Sequence, residues 1–436
     1  RNRVPWEACA VGEWAVVFVA VSVVGWALVQ RRASTTVVTG PMVFVALGLL
    51  VGSEGFGLIE LGTGSASTAV DTVLQGTLAL LLYTDAAALH PSSWRKDVGL
   101  PARLLGIGLP LTIAAGWLIA VLLFDGLSGW EAAIVAAMIA PTDAALGQAV
   151  ISNPRVPERI RTGLDVESGL NDGVSLPFIL LFMGFAAEGF SGSGIVSTFV
   201  EAIGVAVVVG VAVAVVAAWL LSWASRSGWM GSTWSQIALA AIAVITFGVA
   251  DQLGGSGFIA CFAGGLTYGE RVRGRLLDNE TFTDDLGAVL TQISFLLVGA
   301  VVIGPALTET TWQVWVMAAL ALTIARIGPV AVALVGTGMR WPTVGYIGWF
   351  GPRGLATIVF GVLVVDEADL PGTETIIVIA AITVFMSVYA HGLTASTRAN
   401  RYADWAEEES RSGDLAEASP LEQTVSRKRF KQPRES

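Results

Sequence analysis

Residues 167–173 read Glu-Ser-Gly-Leu-Asn-Asp-Gly inside an otherwise apolar stretch. At helical spacing Glu167 stacks with Asn171 and Ser168 with Asp172, so four oxygen-bearing side chains share one broad face. Oxygen ligands of this kind compensate a small hard cation for the water it gives up. Pro141-Thr142-Asp143 forms a second polar island, where the proline frees a backbone carbonyl four residues earlier and irregular backbone can line a site. Gly351-Pro352-Arg353-Gly354 interrupts a third apolar stretch in the same manner. The plainer readings are polar residues gluing helices together and ordinary proline kinks. Two carboxylates within about one and a half turns argue against glue alone.

These groups must be carried by membrane spans. Of 436 residues, 54% are hydrophobic and 14% charged, where an ordinary soluble domain has roughly a quarter charged. The chain divides at polar, Gly-rich or Pro-rich breaks into pieces near the roughly 20 residues that cross a bilayer. Thirteen helices are predicted, at 10–29, 37–52, 68–89, 103–124, 130–150, 160–186, 195–222, 234–252, 257–270, 285–303, 312–335, 343–365 and 373–394; the ninth is short. The fold class is therefore an all-α polytopic membrane protein. Lys and Arg collect on the cytoplasmic side, and here they alternate. Odd connections hold Arg31 and Arg32; Arg95, Lys96 and Arg103; Arg155, Arg159 and Arg161; Arg226; Arg271, Arg273 and Arg275; and Arg340, while even connections hold acids only. This places the amino terminus outside and the carboxyl tail, residues 395–436, in the cytoplasm. The tail reads as disordered, with a basic cluster from Arg427 to Arg434.

Ionisable groups at membrane depth cost roughly 2.5–3.5 kcal/mol each and mark function. The basic ones are Arg326 in the eleventh helix and Arg353 in the twelfth. The acids are Asp143, Glu167 and Asp172, with Asp85 near the inner end of the third helix. Two cations against three acids leave one spare negative charge, which is what a cation site needs. Gly/Pro-interrupted spans in the fifth and twelfth places point to an inverted-repeat transporter. Helices one to six and eight to thirteen would form the repeats.

Together, Pro141-Thr142-Asp143, Glu167-Ser168-Gly169-Leu170-Asn171-Asp172-Gly173, Ala325-Arg326 and Gly351-Pro352-Arg353-Gly354 resemble the successive signatures of the NhaP/NHE-type sodium:proton antiporters. Gly257-Phe258-Ile259-Ala260, Gly264-Gly265-Leu266 and Ser387 with His391-Gly392-Leu393-Thr394 are similar to that family too. The resemblance implies a transmembrane antiporter domain over 1–394. Core helices would lie at about 103–186 and 312–394, and dimerisation helices at about 10–89 and 195–303. It implies a homodimer with elevator-like alternating access. Asp172 would bind sodium or a proton, with Ser168 and the Thr142 backbone as further ligands and Asp143 and Glu167 close by. Glu167 would pair with Arg326, Arg353 would belong to the functional set, and the neutral Asn171 implies electroneutral exchange.

Chemistry agrees with this. If Asp172 holds a proton or a cation but not both, and the core moves only when one is bound, uptake of one compels release of the other. No resident cofactor and no nucleic-acid partner are expected; the partners are a monovalent cation, protons and the lipid bilayer. Without His-Glu-x-x-His, a Walker loop or Gly-x-Ser-x-Gly, an enzyme is not expected. A channel, a sodium-coupled solute symporter and a potassium:proton antiporter are the alternatives. His90 and His391 fall at inner helix ends, where packing or capping is the expected role.

Overall fold

The computed structural model describes residues 13–33, 35–59, 65–89, 99–188, 195–272, 281–368, 370–412 and 417. Each of the thirteen expected segments is helical there. They are α1 (Glu13–Ala33), α2 (Gly40–Val51), α3 (Ser65–Ala88), α4 (Gly99–Leu123), α5a (Gly129–Ile139) with α5b (Ala144–Ile151), and α6 (Glu158–Glu188). Then follow α7 (Ile195–Arg226), α8 (Ser232–Gln252), α9 (Gly257–Val272) and α10 (281–309). The last are α11a (Trp312–Leu322) with α11b (Ile324–Ala333), α12a (Trp341–Trp349) with α12b (Leu355–Glu367), and α13 (Thr373–Ser412). By length and composition, eight helices among the described residues could cross a membrane alone. Of the others, α3 has the length but is more polar, with Asp71, Gln75 and Asp85, and the rest are short pieces, four of which make up the broken helices α5 and α12. The basic groups at 90–98 and 273–275 and the cluster at 427–434 lie outside the described residues.

Two of the expected boundaries change. α13 does not end at 394 but runs on to Ser412, because Ala395, Ala399, Tyr402, Ala403 and Ala406 recur at helical spacing and are buried. This extension packs in a second core cluster with Leu100, Ile160, Val344 and Ile347, apart from the main one. The eleventh helix is also not continuous. It breaks at Thr323, whose φ of −120° and ψ of −89° are far from helical, and this break starts the short helix that carries Arg326.

Helices α2, α3, α7, α9 and α10 pack with backbones almost touching, as helices in lipid do when small residues line the seam. A Cβ on Gly265 of α9 would meet Tyr83 O of α3, one on Gly210 of α7 would meet Ala260 O of α9, and one on Gly48 of α2 would meet Leu296 O of α10. The helices carrying the polar islands pack differently, around buried side-chain charges.

Candidate functional site

α5a begins at a capping box: Ser128 Oγ accepts from Glu131 N at 3.2 Å, and Glu131 Oε2 accepts from Ser128 N at 2.7 Å. It ends at Ala140, because Pro141 has no amide to donate. α12a ends at Trp349, and Gly351-Pro352 follow. The two unwound segments meet, with Asp143 N donating to Pro352 O at 2.7 Å. Glycine makes the approach possible. A Cβ on Gly354 would collide with the carboxylate of Asp143, and one on Gly351 would sit 2.6 Å from Arg326 Nε.

Four half-helix ends converge here, and charged side chains neutralise three of them. Asp143 Oδ1 accepts from Ala145 N at 2.7 Å at the start of α5b, and its Oδ2 accepts from Leu355 N at 3.1 Å at the start of α12b. One carboxylate thus serves two positive helix ends. Arg353, fully buried, donates through Nη1 to Ala140 O at 2.7 Å and Pro141 O at 3.0 Å, answering the negative end of α5a. The fourth end, Trp349 O, lies 3.0 Å from His391 Nε2. His391 is therefore a buried cap for the end of α12a, although it lies in the middle of α13 and not at a helix end as expected.

Glu167 and Arg326 form a two-pronged pair, Oε1 to Nη1 at 2.6 Å and Oε2 to Nη2 at 2.8 Å, both side chains 2% exposed. One helical turn on, Asn171 Nδ2 donates to Thr142 Oγ1 at 2.6 Å, which shares a further hydrogen bond with Ser168 Oγ at 3.1 Å. Asp172 Oδ1 and Asn171 Oδ1 are buried without a hydrogen-bond partner among the described residues. The expected set therefore divides. Asp143 and Glu167 spend their oxygens on helix ends and on Arg326, whereas Asp172, Asn171, Ser168 and Thr142 cluster where α6 faces the α5 break. With two orphaned buried oxygens, that cluster could hold a cation.

The sodium/hydrogen exchanger transmembrane model matches residues 18–400. The chain belongs to that family. It is a family of transporters, not enzymes, and the chain is a multi-pass membrane protein. It is 26% identical to the K(+)/H(+) antiporter NhaP2 of Shewanella oneidensis over 378 residues, covering 82% of this chain and 62% of the relative. The chain thus spans less than two thirds of that relative's length. It is also 25% identical to the Na(+)/H(+) antiporter ApNhaP of Aphanothece halophytica over 373 residues, 80% of this chain and 68% of the relative. The fold is similar to that of the sodium proton antiporter MjNhaP1 from Methanocaldococcus jannaschii at pH 8, with a TM-score of 0.71 at 21% identity over 89% of this chain and 99% of the other.

Two residues near this candidate site were named in the sequence without a role. Asp85 packs beside α6, its Cβ 3.7 Å from where a Cβ on Gly169 would stand, so an acid on α3 adjoins the turn before Asp172. The usable signal is an acid near the end of an apolar helix opposite a glycine. The other is Ser387, hydrogen-bonded to the backbone of Arg353 at 2.6 Å.

Proposed function

We propose that this chain exchanges a monovalent cation for protons across the cell membrane by alternating access, with Asp172 as the group for which the two ions compete. The observation that carries this is the charge balance of the crossing. Glu167 is matched by Arg326, Asp143 by two helix N-termini and Arg353 by two carbonyls, which leaves Asp172 with an orphaned buried oxygen. An unmatched carboxylate beside Thr142, Ser168 and Asn171 gains from a bound cation or a bound proton, and either would leave it neutral. Because Asn171 is an amide, one titrating group serves each cycle and the exchange is electroneutral.

Sodium is the cation proposed from the motif pattern. The relatives include both sodium and potassium antiporters, so potassium:proton exchange is the second reading. The thirteen-span inverted-repeat arrangement, the homodimer, the division into core and dimerisation helices and an external amino terminus belong to the same proposal. The alternation of Arg-bearing and Arg-free connections supports the orientation.

The test uses proteoliposomes with an internal pH dye, pulsed with lithium, sodium and potassium in turn. A cation-dependent proton flux is expected from the wild type and none from Asp172→Asn, which keeps shape and loses titration. Flux retained in that variant would move the site elsewhere, and no response to any cation in the wild type would remove the proposal.

A further inference from the structure

In an unbroken α-helix the amide of residue 353 would donate to the carbonyl of residue 349. α12 is unwound between those residues and lacks this bond; Trp349 O accepts from Gly351 N at 2.9 Å inside the break, and both it and Arg353 N find a partner on α13. Two residues one turn apart on α13 stand between them. Arg353 N donates to Ser387 Oγ at 2.6 Å, Ser387 Oγ lies 3.2 Å from His391 Nδ1, and His391 Nε2 lies 3.0 Å from Trp349 O. With the imidazole proton on Nε2, Ser387 accepts from the amide and donates to Nδ1, and His391 donates to the carbonyl. Each donor and acceptor is then used in one direction. Ser387 O, also 3.1 Å from Nδ1, is the ordinary helical acceptor for the amide of His391.

We propose that Ser387 and His391 are positioning residues for transport: together they replace the missing helical hydrogen bond and fix the width of the α12 break. This rests on the exchange reading above. What the pair holds bears directly on the site. The Pro352 carbonyl accepts from Asp143 N, and the guanidinium of Arg353 holds Ala140 O and Pro141 O. A change of width at 349–353 therefore shifts both sides of the crossing, including the peptide that carries Thr142. The same face of α13 also grips the end of α12a. Thr394 Oγ1 accepts from Trp349 Nε1 at 3.1 Å, and the Arg398 guanidinium lies 4.1 Å from the Trp349 ring centroid. Residues 387, 391, 394 and 398 recur at steps of four, three and four, one continuous stripe of an α-helix. The charged groups facing His391 are Arg353 across the break and Arg398 along α13, both cations.

The test compares His391→Gln, His391→Ala and Ser387→Ala in the full chain. Glutamine can donate its amide to Trp349 O while accepting from Ser387 Oγ; alanine can do neither. In the vesicle assay, His391→Ala and Ser387→Ala should raise the cation concentration for half-maximal proton flux about tenfold, the size of one lost buried hydrogen bond, and His391→Gln should restore it to near the wild-type value. Amide hydrogen exchange across 350–355 should quicken in the alanine variants and not in His391→Gln, with protection in α7 and α9 unchanged as the control for folding. If His391→Ala does not fold, Ser387→Ala against His391→Gln carries the comparison. Equal behaviour of His391→Gln and His391→Ala, or alanine variants matching the wild type in both measurements, would overturn the proposal. Failure of the wild type to respond to any cation would overturn only the exchange reading, and amide exchange would still decide this one.

Discussion

The breaks in α5 and α12 begin alike, at a helix end followed by proline, and are completed in opposite ways. The α12 break is filled from within the protein: His391 meets Trp349 O, Ser387 meets Arg353 N, Asp143 meets both Pro352 O and Leu355 N. The α5 break is supported from one side, where Arg353 holds its two carbonyls, and on the other faces α6 with Asp172 and Asn171 each showing an orphaned oxygen. An interrupted helix is thus not by itself a binding site. What decides is whether neighbouring side chains satisfy the freed backbone or leave groups for a ligand.

The sharpest way to break this comparison is to force the two segments apart. Gly354→Ala puts a methyl group into the Asp143 carboxylate, and cation-driven proton flux should fall by about a hundredfold or more, as a displacement of about 1 Å at a site can cost. Near-normal flux would show that the contact between the segments does not matter to the α5 side.

A loss of stability, not of rate, is expected beside the α5 break. Removing one partner of a buried ion pair strands the other and costs about 3–5 kcal/mol. Glu167→Gln or Arg326→Ala should therefore lower the melting temperature, and the double change should recover part of it. Additive losses would mean that the pair is not energetically coupled despite its 2.6 Å contact.

Voltage sharpens the claim that Asp172 alone is left to titrate. A carried charge would feel about 2.3 kcal/mol per 100 mV. With valinomycin and potassium setting the potential, the null point of sodium-driven proton flux should stay in place, provided potassium is not itself a substrate. A shift would mean that Asp143 or Glu167 also carries a proton.

The smallest effect belongs to the C-terminal end of α13, where Arg155 reaches Asp404 and Glu407. The hydrogen bond from Arg155 holds the Glu407 carboxyl below its ordinary range. A lowered folded-state value stabilises above the unfolded value of about 4.3, and that stabilisation is lost as pH falls through the lower, folded one. Melting of wild type and Glu407→Gln should therefore differ slightly at neutral pH and converge in acid; an equal difference at every pH would remove the charge from the explanation.

Much of this was legible in the sequence. Apolar length gave the thirteen helical segments, and proline gave both breaks, because each is a local property of the chain. The Glu167–Arg326 pair followed from the family resemblance; charge balance alone said only that each buried cation needs a partner, not which acid supplies it. The break at Thr323 was not legible: Leu-Thr-Ile has no Gly or Pro, and the distortion there accompanies the turn that brings Arg326 to Glu167. The helical course of residues 395–412 was overlooked although its alanine and tyrosine stripe was present, because high polarity outweighed periodicity. Ser387 could be read only as part of a motif, since its partner is a backbone amide 34 residues away.

The glycine seams of the other half have a consequence for how the chain can diverge. Gly48 and Gly299 face each other across α2 and α10, each pressed against the other helix's backbone. When two large residues touch, a gain on one side can be offset by a reduction on the other. When both are already glycine, no compensating change exists. Drift at such a seam has no viable second step, so an alignment of relatives is expected to hold small residues at these positions while lipid-facing neighbours vary. An architecture pinned at a few irreducible contacts can lose most of its sequence identity and keep its shape, which agrees with a TM-score of 0.71 at 21% identity.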